Sequence, residues 1–85
     1  MTRYFFHVED GSSYPDHDGV ELPNLKAVRA EALRASGEML RDNGLGLWDG
    51  EEWEMRVVDE GGKSILTLTF SAAEHVPAEE LSAVA

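Results

Sequence analysis

Only one stretch of this 85-residue chain has sustained helical periodicity, and the apolar residues outside it alternate as they do in β-strands. The stretch runs from Asn24 to Gly44 and repeats apolar or small residues at three- and four-residue steps. Asn24 is placed to cap its first turn, and Asn43 with Gly44 predicts a left-handed stop. Because one helix covers one face of a sheet, we expect a single sheet whose other face is bare.

The two strands after the helix are the best-defined pair in the sequence. The segments 52–60 and 64–70 flank Gly61-Gly62, which predicts a two-residue hairpin turn with Glu60 facing Lys63. On one face this register pairs Val57 with Leu66, Met55 with Leu68 and Trp53 with Phe70. On the other face it pairs Val58 with Ile65, Arg56 with Thr67 and Glu54 with Thr69. A slip of one residue would mix the two faces, so the pattern itself selects the register.

The segment before the helix predicts two further strands. Residues 3–9 carry aromatic or β-branched side chains on both faces, which favours a central strand. Residues 10–19 contain Asp-Gly and Pro-Asp turn signals, and Val20 to Leu22 returns as a short strand that Pro23 ends.

The predicted fold is therefore α+β, with the order β-β-α-β-β. One antiparallel four-stranded sheet, in strand order 2-1-3-4, carries a single helix (about residues 24–43) on one face. Residues 1–71 form this domain. Residues 72–85 are predicted to be a C-terminal extension that is weakly helical or partly disordered, and it opens with a capping-box pattern from Ser71 to Glu74.

Charge and composition exclude several classes of function. Seven basic residues stand against 17 acidic ones, for a net charge of −10, so the surface would repel nucleic-acid phosphates. The absence of cysteine excludes disulfides, thiol catalysis and thiolate metal sites. No stretch approaches the roughly 20 apolar residues of a membrane span, and the first residues lack a secretory signal pattern. We expect a cytoplasmic protein that binds neither nucleic acid nor membrane directly.

No arrangement of residues predicts catalysis. Ser12, Ser13, His17 and Asp18 share one turn-rich loop with no third group to orient a nucleophile and base. The glycines at 44 and 46 precede a strand and not a helix, so they predict no phosphate-binding loop. We expect a protein that is not an enzyme and that carries no cofactor.

The same loop raises the alternative of a small-ligand or divalent-cation site. Its candidate ligands are Asp10, Asp16, Asp18 and Glu21. Aligned to the Ca²⁺ loop of an EF-hand, the sequence places Tyr14 and Leu25 at the first and last ligand positions. A solvated turn is the favoured interpretation, with cation binding as the alternative.

The bare face of the sheet predicts an interaction surface, because an apolar patch with a polar rim marks such sites. Its candidate residues are Phe5, His7, Val58, Ile65 and Thr67, with Trp48 in the apolar loop 45–52 as a second contact. We expect a protein–protein interaction or self-associating module, with a second copy (a homodimer) or another protein as partner. Three alternatives stay open: the C-terminal tail covers the face, the Trp48 loop closes over the core, or the chain is an acidic regulator of a basic or nucleic-acid-binding partner.

Three segments carry a family resemblance: RYFFHVEDG (3–11), DHDGVELPNLKAVRAEAL (16–33) and VVDEGGKSILTLTF (57–70). Together they resemble a family of short bacterial proteins classed only as a domain of unknown function. The family pattern has D-x-x-G-x-E after the first strand and V-x-D-E-x-G at the hairpin. The resemblance implies no catalytic or binding residue. The loop at 44–53 is longer and more aromatic than the family pattern.

Overall fold

A computed structural model describes residues 1–75 of the chain and contains one antiparallel sheet and one α-helix. The strands are β1 (Thr2–Glu9), β2 (Ser13–Tyr14), β3 (Val20–Leu22), β4 (Trp53–Asp59) and β5 (Ser64–Phe70). The helix α1 spans Leu25–Asn43, and a 3-10 helix, Gly44–Asp49, follows it directly. The predicted α+β class is confirmed.

The sheet has the order β2-β1-β4-β5, with β3 also paired to β1. β3 lies opposite the start of β1, and β2 lies opposite its end, so both occupy the same edge of β1. The predicted order is confirmed when Val20–Leu22 is taken as the second strand. The two-residue strand β2 was not predicted, and it raises the number of strands from four to five.

The core lies between α1 and the central strands. Asn24 accepts a hydrogen bond from the Ala27 N–H at 2.9 Å and caps the helix as predicted. The buried residues are Val28, Ala32 and Ser36 from α1, and Val8, Trp53, Met55 and Val57 from β1 and β4. The inward residues of β5 are only half-buried; they are Leu66, Leu68 and Phe70. The helix therefore covers β4 most completely, whereas Tyr4 and Phe6 of β1 are half-buried like the inward residues of β5.

The predicted left-handed stop at Asn43 and Gly44 is wrong. Gly44 has a φ of −85°, and its N–H still bonds to the Leu40 carbonyl. The chain tightens into the 3-10 helix instead of reversing, and the left-handed residue is Gly50, with a φ of 89°. The left-handed glycine therefore closes the 3-10 helix, whereas α1 itself ends at Asn43 without one.

The register of the β4–β5 hairpin is confirmed for the three core-facing pairs and for Glu54–Thr69 and Arg56–Thr67. The predicted two-residue turn is wrong. Asp59 donates its N–H to the Lys63 carbonyl at 2.9 Å, so the loop holds three residues, and only Gly62 has a positive φ. This geometry is typical of a turn closed by a left-handed glycine.

A β-bulge compensates for the additional loop residue. The register shifts between Val57 and Val58, so Val58 lies opposite Ser64. The predicted Val58–Ile65 pair is therefore wrong, and Ile65 packs against the core cluster. A bulge places two successive residues opposite one partner residue, which removes Ile65 from the alternation of the strand.

Residues 71–75 follow β5 without regular structure, so the helical turn predicted from Ser71 to Glu74 does not form there. The rest of the predicted extension, residues 76–85, lies outside the described residues. The prediction that it docks on the sheet falls on these residues as well.

Candidate interaction surfaces

The sheet face opposite α1 carries most of the predicted interaction residues. Phe5 lies opposite Val58 across the β1–β4 ladder, and His7 lies opposite Arg56. The Phe5 and His7 rings are stacked, with centroids 6.5 Å apart and planes 8° from parallel. Phe5, His7 and Val58 are half-buried, and Thr67 is exposed. Ile65, which packs against the core cluster, is not part of this face.

The loop of residues 15–19 covers the β1 side of this face. Asp16 donates its N–H to Nδ1 of His7 at 3.0 Å, which requires Nδ1 to be unprotonated. Gly19 lies so close to β1 that a Cβ at this position would be 2.9 Å from Cε1 of Phe5. Asp16 and Gly19 thus pack against β1 while Pro15, His17 and Asp18 stay exposed to solvent, and the predicted bare face is smaller than expected.

The Asp16 carboxylate joins this loop to β1. Its Oδ2 accepts from the Phe6 N–H at 3.1 Å, and its Oδ1 accepts from the Asp18 and Gly19 N–H groups at 3.0 and 3.1 Å. β3 pairs with residues 2–4 of β1, and β2 pairs with residues 8 and 9. Phe6 lies between these two parts, so its N–H bonds to the Asp16 carboxylate and not to a neighbouring strand on this edge. Burial alone would raise the pKa of Asp16, but the three backbone N–H donors outweigh it and hold the pKa below its ordinary value.

Two of the other candidate cation ligands, Asp10 and Glu21, are engaged separately. Asp10 accepts from the Ser12 N–H at 3.2 Å, and Glu21 forms a 3.7 Å ion pair with Arg3. Arg3 also donates to the Asp18 carbonyl at 2.8 Å. Among residues 1–75, no three His, Asp or Glu side chains are grouped so as to hold a metal ion. The structure thus does not bring the four predicted residues together around one point.

The hairpin uses the same type of turn as the loop. Asp59 Oδ1 accepts from the N–H groups of Gly61 and Lys63, both at 2.9 Å. The turns that begin at Asp10, Asp16 and Asp59 each contain a glycine with positive φ. These glycines are Gly11, Gly19 and Gly62. The Asp and Gly residues that carry the family resemblance therefore shape the backbone.

Two open clefts flank β1. One, of about 300 Å³, lies on the outer face and is lined by His7, Glu9, Ser13, Pro15, Glu54 and Arg56. The other, of about 400 Å³, lies near the end of α1 and is lined by Val8, Asp10, Tyr14, Met39, Asn43 and Trp53. His7 has only Nε2 to offer the first cleft, because Nδ1 already accepts from Asp16.

The apolar loop after α1 divides between core and solvent. Leu47 packs against the core, as a lid would. Leu45 is 81% exposed and Trp48 is 59% exposed. Trp48 is thus available for contact, as expected of the second candidate surface, and a 3-10 helix holds it in place.

Sequence reasoning missed the outer edge of β5. Within residues 1–75 no strand pairs with this edge. The seven residues of β5 include neither a charged residue nor proline, although natural edge strands are commonly protected by such residues. Its core-facing side chains are half-buried. The sequence did indicate this open edge. The uncharged segment SILTLTF comes last in the predicted strand order, which makes it an edge strand.

Fold and surfaces together define a small α+β domain with one helix on an antiparallel sheet. No helix in the described part of the chain is long and apolar enough to cross a membrane. The chain belongs to the family described as Domain of unknown function (DUF6894), whose model matches residues 3–71. This confirms the resemblance. No curated protein and no solved structure matches the chain.

Proposed function

We propose that this chain is a protein–protein interaction module that acts without catalysis. The observation that carries the proposal is β5, an edge strand with no charge along its length and with core-facing side chains that are only half-covered. An exposed apolar edge of this kind offers unpaired N–H and C=O groups together with apolar area. We place the function in the bacterial cytoplasm, on the family resemblance and on the first residues, which lack a secretory signal pattern.

The cation-binding alternative is less well supported. A cation at the 10–21 loop would have to take Asp16 away from three backbone N–H donors, which would detach the loop from β1. Such a carboxylate is a poor free ligand, because three of its roughly four lone-pair sites already accept backbone hydrogen bonds.

Sedimentation of the purified chain, together with recovery of complexes from the native host, tests the proposal. We expect either a concentration-dependent mass above that of the monomer or a complex that forms again from its purified components. Amide hydrogen exchange would then locate the contact, and we expect new protection over residues 64–70. A matched control is the outward side of α1 around Arg34, which pairs with Glu31 and Glu38; its amides are already protected by the helix, and their exchange rates should not change. A chain that remains monomeric and forms no such complex would refute the proposal.

A further inference from the structure

The charge distribution along the sheet singles out β5 as the place where two copies can meet. Each other strand of three or more residues carries at least one charged side chain, whereas β5 carries none. The chain has a net charge of −10, so two copies repel each other over most of their surface. An uncharged edge minimises that repulsion, and a basic partner would gain most at the acidic surfaces instead.

The pattern after the bulge is symmetric about one residue. The regular part of β5 is Leu66–Phe70, with Leu66, Leu68 and Phe70 toward the core and Thr67 and Thr69 on the outer face. Leu68 is the middle of these five residues. An antiparallel copy centred there would meet the same sequence of apolar and threonine side chains.

We propose that β5 pairs with β5 of a second copy about a two-fold axis at Leu68, a partner assignment that rests on the proposed function. Leu66 then lies opposite Phe70 of the second copy, Leu68 opposite its own counterpart, and Thr67 opposite Thr69. A register centred on Thr67 would bring Ile65, the residue displaced by the bulge, opposite Thr69 and would mix apolar with polar side chains.

This pairing would stabilise the single chain in two ways. It provides partners for the unpaired backbone groups of the β5 edge, and it places the half-buried side chains of two copies next to each other. The contact is isologous, so the same residues serve both copies and the assembly closes as a dimer.

Cysteine crosslinking tests the register cleanly, because the chain has no cysteine of its own. A mixture of Thr67→Cys and Thr69→Cys chains should form a disulfide-linked dimer on mild oxidation, since opposed residues in a ladder lie within disulfide reach. Each variant alone should crosslink weakly, because its own cysteines would lie diagonally at roughly 7–8 Å. A Glu38→Cys variant on the exposed side of α1 is the control and should form no disulfide-linked dimer on the same oxidation. Efficient crosslinking of Thr67→Cys alone would overturn the register.

A charge variant tests the interface independently. Thr67→Glu with Thr69→Glu brings carboxylates face to face across the two-fold axis, and we expect dimerisation to weaken by about tenfold or more. Thr67→Glu with Thr69→Lys restores opposite charges across the axis and should restore the dimer. Both residues are exposed, so circular dichroism should show that the monomer fold is retained.

The outcomes separate the β5 pairing from the proposed function. A dimer that resists the β5 variants but dissociates on Phe5→Glu places the contact on the outer face, which refutes the β5 assignment and keeps the interaction module. A monomeric chain that binds a different protein likewise refutes the β5 pairing and keeps the module. A chain that is monomeric at every concentration and binds no partner refutes both.

Discussion

Asp16 provides the sharpest test of how this fold is held together. Replacing it with alanine removes the acceptor for three backbone N–H groups, those of Phe6, Asp18 and Gly19. Hydrogen bonds to a charged acceptor contribute about 1.5–3 kcal/mol each, but they are not additive, and the Asp18 N–H lies near solvent and can bind water instead. We therefore expect Asp16→Ala to lower the free energy of unfolding by about 2–4 kcal/mol. For a domain with about 4–13 kcal/mol in total, this is a large fraction.

Asp16→Asn separates the charge of the side chain from its shape. The amide oxygen of asparagine can still accept hydrogen bonds in the turn, but its NH2 group then faces a backbone N–H, and two donors cannot bond. We expect the free energy of unfolding to fall by about 1–2 kcal/mol. The folded-state pKa of Asp16 lies below its ordinary value of 3.8. Its stabilising contribution is therefore complete above that value and is lost as the pH falls through the lower, folded-state value. The stability difference between the natural chain and Asp16→Asn should shrink over that acidic range.

Urea unfolding followed by circular dichroism, at neutral pH and at a pH below 3.8, measures both effects. The matched control is Asp18→Asn, which makes the same charge change two residues away on an exposed side chain. We expect the control to stay within about 0.5 kcal/mol of the natural chain. Equal losses for Asp16→Asn and Asp18→Asn, or an Asp16 effect that does not depend on pH, would refute the role given to this carboxylate.

Two glycines should respond to alanine in opposite directions. Gly19→Ala places a Cβ 2.8 Å from Cγ of Arg3 and 2.9 Å from Cε1 of Phe5 at a φ of +71°, so thermal unfolding should show a loss of about 2–4 kcal/mol. Gly37→Ala, in an open position of α1, should instead stabilise by about 0.5–1 kcal/mol, and a loss there would contradict the open space around it. Ser36 is fully buried, and its hydroxyl donates only to a sulfur atom at 3.5 Å, so Ser36→Ala should leave stability within about 1 kcal/mol. A larger loss in the same melt would mean that the sulfur contact is strong.

The strand register could be predicted because face segregation depends on many residues at once. Pairing Trp53 with Phe70 and Val57 with Leu66 is the arrangement that keeps the apolar side chains together, and the structure has both pairs. The start of the helix could also be predicted from the sequence. An N-cap such as Asn24 bonds to a backbone N–H within the first turn, so its effect depends only on neighbouring residues.

The turn and the helix end were predicted wrongly because several local solutions fit the same sequence. A three-residue loop with a bulge and a two-residue loop without one lead to the same pairing from Val57 onward. The choice between the two loops depends on which glycine takes a positive φ. Two adjacent glycines such as Gly61 and Gly62 can both do so, and the sequence therefore does not show which one does. The same ambiguity applies to the stop at Gly44, which the chain defers to Gly50.

The candidate surfaces were only partly accessible from sequence. Alternation placed Phe5 and His7 on the outer face, but the loop that covers them acts through contacts between residues nine or more apart, such as Asp16 with His7. Periodicity does not encode such contacts. The Asp-x-x-Gly motif was visible in the sequence, whereas its target on β1 was not.

The attachment of the Asp16 loop to β1 also limits how far the sheet can grow. β2, β3 and the Asp16 carboxylate occupy the outer edge of β1, while the β5 edge stays open. A sheet with two open edges can add copies without end, which is the route to fibres. On its other side the described sheet ends in β2 and β3, which are two and three residues long and leave little backbone for a further strand to pair with. β5 is therefore the one long open edge of the described sheet, and joining two copies there covers it in both. Detaching the loop from β1 would expose a second long edge and let further copies add.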